Sequence, residues 1–132
     1  MIIGMGTDII DIRRIESVLT KFGKKFIERC FTENEIIYSE KKYMRINSYA
    51  KRYAAKEACA KALGTGLAQG IFWKDISVIN NIYGKPYIQL DNNALKIIKK
   101  LTKLNYGIEL SLSDEKNYAI ANVIIFEKNA IF

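Results

Sequence analysis

The strongest constraint on the fold is the stretch from Arg45 to Leu63, which contains no glycine or proline and a single β-branched residue. It is rich in alanine, the residue with the highest helix propensity, and it therefore predicts the longest helix of the chain. Gly64 follows directly and can supply the C-terminal cap. Small or apolar residues lie on most sides of this helix, so we expect it to be largely buried.

Shorter elements are predicted on both sides of this helix. Before it, residues 2–10 alternate like a strand, residues 11–29 have a helical period broken at Gly23, and Thr32 with Glu35 forms a capping box for a helix that reaches about Lys41. After the loop at 64–70 come strands at 76–79 and 87–90 around a turn at 80–86, a helix at 92–103, and strands at 107–113 and 118–126 around a turn at 114–117. This order predicts one α+β domain over residues 1–132.

Composition excludes several classes of site. The chain contains no histidine, which removes every Ser-His or Cys-His nucleophile pair and every histidine-based metal site. Cys30 and Cys59 are too few for a disulfide framework, and we expect both to be reduced packing residues. No apolar stretch approaches the ~20 residues of a membrane span, and no secretory signal pattern is present, so a cytoplasmic protein without a membrane partner is expected.

The charge balance indicates an anionic partner. Lys and Arg number 21 against 14 Asp and Glu, which gives a formal charge of +7. Such a field attracts nucleic acid, anionic lipid or an acidic protein, and charge alone does not choose among them. A basic nucleic-acid-binding module is therefore the main alternative function, although the chain has no recognition motif of that class.

Glu57 and Lys61 are the first candidates for chemistry. Helical geometry places both on one stripe of the long helix, together with small and apolar residues. A carboxylate and an ammonium in such surroundings need partners. The simplest alternative is an ordinary i,i+4 ion pair, worth only ~0.2 to 0.5 kcal/mol.

Asp8 is the second candidate, because it follows Gly4 and Gly6 on one face of the first strand. These glycines leave room for another group to approach the backbone of the strand closely. Taken alone, Asp8 is also explained as an end-of-strand residue that caps the next helix. If it converges with Glu57, the two carboxylates would suit Mg²⁺, and Lys61 would pair with phosphate oxygens.

Two glycine-containing segments are weaker candidates. The GTG segment at 64–66 could present backbone N–H groups to a phosphate, but taken alone it is better explained as a helix C-cap turn. The GKP segment at 84–86 is typical of a hairpin turn.

Four blocks of sequence resemble holo-acyl-carrier-protein synthase, the short phosphopantetheinyl transferase of bacterial fatty-acid synthesis. They are GTDIIDIRRI at 6–15, RYAAKEACAKALGTG at 52–66, GKPYIQL at 84–90 and SLSDEKNYAIANVI at 111–124, in family order and spacing. The resemblance implies that helices pack on an antiparallel sheet and that three chains form a trimer with active sites between adjacent subunits. It also implies coenzyme A and apo acyl carrier protein as substrates, with adenosine 3′,5′-bisphosphate as the released product.

The resemblance also assigns roles to residues. Asp8 and Glu57 would be ligands of Mg²⁺, and Lys61 would stabilise the phosphates. The general base would be a metal-bound water or a carboxylate such as Asp8. Coenzyme A would contact Lys61 and a further set of residues, namely Gly64, Gly66, Gly84, Lys85, Pro86 and Ser113, with Arg52 as an additional phosphate contact.

The basic first helix is the implied docking site for the acidic carrier protein. Its residues are Arg13, Arg14, Lys21, Lys24 and Lys25. The chain departs from the family at Asp114, where a histidine is usual, and this raises the alternative of a family member without activity. We expect Asp114 to be a turn residue and not a catalytic one.

Overall fold

The computed structural model of the chain describes residues 1–67 and 70–128. In chain order its elements are β1 Ile2–Asp11, α1 Ile12–Phe22, α2 Lys24–Cys30, α3 Glu33–Glu40, α4 Arg45–Ala62, β2 Ile76–Asn80, β3 Pro86–Leu90, α5 Asn92–Leu101, β4 Tyr106–Glu115 and β5 Tyr118–Glu127. This order confirms the predicted α+β class. Residues 68 and 69 of the predicted glycine loop lie outside the described residues. None of the helices in the described ranges is long and apolar enough to cross a membrane.

Two antiparallel units form the β-structure. The first is a three-stranded sheet in the order β1-β5-β4, in which Val123 of the central strand pairs with Gly6 on one side and Leu110 on the other. The second is the β2–β3 hairpin, whose second strand lies beside β4. Helix α4 lies over one face of the three-stranded sheet, and the opposite face exposes Met5 and Ile9.

The central helix α4 rests directly on β1. A Cβ atom at Gly6 would collide with the carbonyl oxygen of Ala58, and one at Gly4 would collide with that of Ala62. The glycine face of the strand therefore permits the close backbone approach that the sequence predicts, and α4 provides that backbone. Alanines of α4 are fully buried, including Ala54, Ala58 and Ala60.

The caps confirm some predicted boundaries and shift others. Thr32 and Glu35 form the predicted capping box, and Gly23 separates α1 from α2 with a positive φ of 52°. Asp11, not Asp8, is the N-cap of α1, and its carboxylate accepts a hydrogen bond from the backbone N–H of Arg13. The alternative in which Asp8 caps this helix is therefore wrong.

The terminal hairpin is tighter than predicted. Strand β4 continues through Glu115, and a two-residue turn remains, with Lys116 in the left-handed region at φ 48°. Asp114 thus pairs with Ala119 within the sheet, and its prediction as a turn residue is wrong.

Candidate active site

Asp8, Glu57 and Lys61 meet where β1 crosses α4. The Lys61 ammonium donates to Asp8 Oδ1 at 3.1 Å and to the carbonyl oxygen of Thr7 at 2.9 Å. Among the described side chains it forms no ion pair with Glu57, so the simple i,i+4 pairing within the helix is wrong. The Lys61 side chain is half exposed, whereas Asp8 is largely covered.

The raised pKa of Glu57 reflects burial as well as the nearby charge of Asp8. Burial raises the pKa of Glu57, the negative charge of Asp8 raises it further, and only Lys61 opposes these effects. Tyr53, one turn earlier on α4, is influenced by the same two carboxylates, and its pKa is also raised, first by burial. The carboxylates of Asp8 and Glu57 therefore lie near each other, and the ammonium of Lys61 is the cation that acts on Glu57.

This donor set fits a hard divalent cation. Two carboxylates supply oxygen ligands, and Mg²⁺ is commonly held by one or two carboxylates, with waters and substrate phosphates completing its coordination. In residues 1–67 and 70–128, no group of three or more Asp, Glu, His or Cys residues is positioned to hold an ion. Asp8 and Glu57 would thus contribute only part of the coordination shell and leave the rest for phosphate oxygens and water.

The GTG segment behaves as a helix cap. The N–H of Gly64 donates to the carbonyl of Lys61, and those of Thr65 and Gly66 donate to the carbonyl of Ala60. Gly64 and Gly66 both have positive φ angles, which explains the need for glycine there. These three N–H groups already donate to carbonyls of α4 and are not free to bind a phosphate. The glycines could help a phosphate only by leaving space for it.

A second feature is a cleft of about 450 Å³ beside the N-terminal half of α4. Its lining includes Arg52, Asn80, Gly84 and Pro86, together with Tyr38 and Lys42 of the α3 region. Two predicted coenzyme A residues thus share a cleft with Arg52.

Arg52 is the principal cation of this cleft. Its guanidinium lies 4.1 Å from the Tyr38 ring centroid and donates to Ser48 Oγ and Asn80 Oδ1. Its Nε atom is buried without a hydrogen-bond partner among the described residues. Burial lowers the pKa of Arg52, which remains far above neutrality for a guanidinium.

Most of the other lining residues were not predicted from sequence, among them Tyr38, Asn47 and Lys51. The spacing of Asn47 and Lys51 does place them one turn apart on a helix. It does not reveal that this face of α4 meets Asp114 of β4, and that contact depends on the tertiary fold.

The other predicted coenzyme A residues occupy different positions. The Lys85 ammonium lies 3.5 Å from Glu109 Oε2. Ser113 alternates with Asp114 along β4, so it lies on the exposed face of the sheet, away from α4. Gly84 has a φ of 83° and belongs to the turn held by Asn81, which accepts from the backbone of Lys85.

The predicted docking residues lie along the exposed side of α1 and α2. Arg13 forms a bidentate contact with Asp11, Lys24 lies 3.6 Å from Glu28, and Lys21 lies 5.3 Å from the Phe22 ring centroid. Arg14 and Lys25 are exposed as well. Arg14 is close enough to lower the pKa of Asp11, after the larger effect of Arg13, so this basic surface borders the end of β1.

Comparisons with known proteins agree on one family. The model of the 4′-phosphopantetheinyl transferase superfamily matches residues 4–123. A holo-(acyl-carrier-protein) synthase of Rhizobium meliloti is 53% identical over 127 residues, which cover 95% of this chain and 91% of the relative. The crystal structure of the Neisseria meningitidis synthase has a TM-score of 0.84 and 35% identity, and the match covers 96% of this chain and 100% of that one. The Helicobacter pylori synthase in complex with coenzyme A has a TM-score of 0.80 and 30% identity over 92% of this chain and 99% of that one.

Proposed function

This chain belongs to the 4′-phosphopantetheinyl transferase superfamily, and we propose that it acts as a holo-(acyl-carrier-protein) synthase. It transfers the 4′-phosphopantetheine arm of coenzyme A to a serine hydroxyl of apo acyl carrier protein and releases adenosine 3′,5′-bisphosphate. This modification serves fatty-acid biosynthesis. The observation that carries the proposal is the meeting of Asp8, Glu57 and Lys61 at the crossing of β1 and α4.

Magnesium is the proposed metal, held by Asp8 and Glu57. When bound, the ion would neutralise charge on the pyrophosphate of coenzyme A. The raised pKa of Glu57 supports this assignment, because a partly buried carboxylate next to another one is stabilised by a cation.

Lys61 supplies the second positive charge. Its ammonium can turn from Asp8 and the Thr7 carbonyl towards a phosphate oxygen, because half of the side chain is exposed. In the transfer, the serine hydroxyl gives its proton to a general base such as the Asp8 carboxylate. Its oxygen forms a bond with the pantetheine-side phosphorus, and the bond from this phosphorus to the bridging oxygen breaks. The leaving nucleotide phosphate then carries the developing negative charge, which Lys61 stabilises.

The nucleotide end of coenzyme A is assigned to the cleft of Arg52. Gly84 and Pro86 line it, and the guanidinium of Arg52 gives its wall a positive charge for an anionic ligand. Lys85 and Ser113 do not line this cleft. They lie towards the exposed face of the sheet, and they can contact a nucleotide only if it extends to that face. Gly64 and Gly66 leave space for a phosphate beside α4, since a Cβ at either would meet no atom within 4 Å.

A trimer with active sites between adjacent subunits is part of the proposal. Arg52 and Glu57 point in directions about 140° apart around α4, by the helical repeat of 3.6 residues. One chain therefore presents the cleft and the carboxylates on different sides, and a neighbouring chain can bring the two together. The exposed face of the sheet supports such association, because Met5, Ile9 and Ile120 lie on it.

The partner surface is the basic side of α1 and α2. Arg13, Arg14, Lys21, Lys24 and Lys25 give it the positive charge that an acidic carrier protein would require. We place the reaction in the cytoplasm, in keeping with the free thiols of Cys30 and Cys59.

The deciding experiment is a transfer assay. The purified protein is incubated with coenzyme A, apo carrier protein and Mg²⁺, and the carrier is weighed by mass spectrometry. We expect the mass to rise by one phosphopantetheinyl group, and a carrier whose acceptor serine is replaced by alanine should stay unchanged. An unmodified wild-type carrier, together with tight binding of RNA or DNA, would instead favour a nucleic-acid-binding protein.

A further inference from the structure

Asp114 forms a charge-compensated cluster with two residues of α4 at the rim of the Arg52 cleft. Its Oδ2 accepts from Asn47 Nδ2 at 2.9 Å, and its Oδ1 lies 3.4 Å from Lys51 Nζ. The hydrogen bond from Asn47 lowers the pKa of Asp114, and Lys51 lowers it further, so the carboxylate remains ionised at neutral pH. All three residues line the cleft.

The cluster changes the charge that a ligand in the cleft meets. Arg52 and Lys42 contribute two positive charges, whereas Lys51 and Asp114 together contribute none. About a third of each side chain of this pair is exposed, so a ligand can reach both of them. The remaining positive charge of the lining, on Arg52 and Lys42, favours an anionic ligand.

We propose that Asp114 and Lys51 form a specificity-determining pair, in which the Asp114 carboxylate attenuates the preference of the cleft for a nucleotide bearing a 3′-phosphate. This inference rests on the proposed function, which places the nucleotide end of coenzyme A in the same cleft. The 3′-phosphate is a dianion for most of the physiological pH range, so each charge at the rim affects it more than it affects the adenosine.

The direction of the effect follows from Coulomb's law. Removal of the Asp114 charge leaves Lys51 uncompensated and strengthens binding of the extra phosphate. Removal of the Lys51 charge leaves Asp114 uncompensated and weakens it. Because both side chains are partly solvated, we expect each change to be about three- to tenfold.

The test compares coenzyme A with dephospho-coenzyme A, which lacks the 3′-phosphate, by the ratio of their kcat/KM values. Asp114→Asn should raise this ratio about three- to tenfold, and Lys51→Gln should lower it by a similar factor. The double variant should return to within about twofold of the wild type, because the local charge is again zero. Glu115→Gln is the matched control, since it removes the same charge one residue away on the other face of β4, and it should leave the ratio unchanged.

A binding measurement separates this inference from the proposed activity. Calorimetric titration with adenosine 3′,5′-bisphosphate and with adenosine 5′-monophosphate gives the ratio of their Kd values without any transfer. The variants should shift this preference for the 3′-phosphate in the same directions as they shift the kcat/KM ratio. An unchanged or lowered preference in Asp114→Asn, or an equal shift in Glu115→Gln, would overturn the inference. A wild-type enzyme that transfers no arm would contradict the proposed function instead, and the titrations would still decide the role of the pair.

Discussion

The Nζ atom of Lys61 lies 3.1 Å from Oδ1 of Asp8, so an ammonium on α4 is held by a carboxylate on β1. The contact spans 53 residues of sequence and exists because the glycines of β1 let the two backbones come close. It joins the positive charge proposed for phosphate stabilisation to one of the proposed metal ligands. An exposed pair of this kind contributes little to stability, about 0 to 1 kcal/mol, so its role is best tested by activity.

Replacement of Lys61 by Met should separate activity from folding. The variant keeps most of the side-chain volume but loses the ammonium, and we expect kcat to fall about 10²- to 10³-fold, as for removal of one stabilising charge. The free energy of unfolding in urea should change by less than about 1 kcal/mol. Lys61→Arg keeps the charge and should retain more activity than Lys61→Met. A Lys61→Met enzyme with normal turnover would remove Lys61 from the mechanism.

Replacement of Glu57 by Gln should abolish most turnover while making the metal-free protein more stable at neutral pH. Because burial and Asp8 raise the pKa of Glu57, the folded protein holds this proton more tightly than the unfolded chain does. The free energy of unfolding therefore falls as the pH rises through the pKa in the folded state. Glu57→Gln removes this penalty and should melt a few degrees above the wild type.

The pH and metal dependence of melting check this prediction. The difference between Glu57→Gln and the wild type should vanish in acid, below the ordinary glutamate pKa of 4.5, where both side chains are neutral. Added Mg²⁺ should raise the melting temperature of the wild type and leave that of the variant almost unchanged. An equal response to Mg²⁺ in both proteins would show that Glu57 is not a metal ligand.

Replacement of Gly6 by Ala should disrupt the contact between β1 and α4. The new methyl group would collide with the Ala58 carbonyl, which belongs to a buried helix and has no room to move. We expect a loss of about 3 kcal/mol or more in the free energy of unfolding, measured by urea denaturation. Ser17→Ala changes an exposed position on α1 and should cost much less. Similar losses in the two variants would mean that close packing at Gly6 is unimportant.

Much of this fold could be predicted from local sequence signals. The glycine-free, alanine-rich segment gives α4 to within a residue of its end, and the capping box at Thr32 and the break at Gly23 are local patterns that the structure confirms. The glycine face of β1 correctly indicates a close backbone approach. These signals work because propensity, capping and sterics act over a few residues.

The pairings between distant residues could not be predicted in the same way. Helical spacing favours a Glu57–Lys61 pair, yet Lys61 reaches Asp8, because β1 crosses α4 at that point. Likewise, the polarity of Asp114 suggests a turn, but β4 continues to Glu115, and Asn47 and Lys51 stabilise the carboxylate there. In both cases, the partner lies in another element, so tertiary structure overrides the local preference.

Charge reversal at Arg14 should weaken carrier binding selectively. Arg14 is exposed on α1 and lies near Asp11, at the C-terminal end of β1. In Arg14→Glu, we expect KM for the apo carrier to rise about tenfold at low ionic strength, with a smaller change at high salt, because the attraction is screened. KM for coenzyme A should stay the same. Lys96→Glu makes the same charge change on α5 and serves as the control; an equal loss in that variant would indicate a general charge effect.

A fully buried ion pair anchors the β2–β3 hairpin to the central helix. Lys56 Nζ lies 2.7 Å from Glu35 Oε1, both side chains have no exposed surface, and Lys56 also donates to the carbonyls of Trp73 and Ile76. Glu35 accepts in addition from the backbone N–H of Val78 in β2. Burial lowers the pKa of Lys56, while Glu35 counteracts this effect. The pair therefore fixes the hairpin that carries Gly84 and Pro86 against the helix that carries Glu57.

The single and double replacements of this pair should differ in how much stability they cost. Lys56→Met leaves the Glu35 carboxylate buried without its cation, and we expect a loss of about 3 to 5 kcal/mol in the free energy of unfolding. The double variant Glu35→Leu, Lys56→Met removes both charges and should be more stable than Lys56→Met alone, although it also loses the bond to Val78. Urea denaturation measures these two variants and Glu35→Leu alone. The loss in unfolding free energy of the double variant is compared with the sum of the losses in the two single variants. If the two are equal, the charges do not stabilise each other, and the hydrogen bonds to the backbone are the main source of stability here.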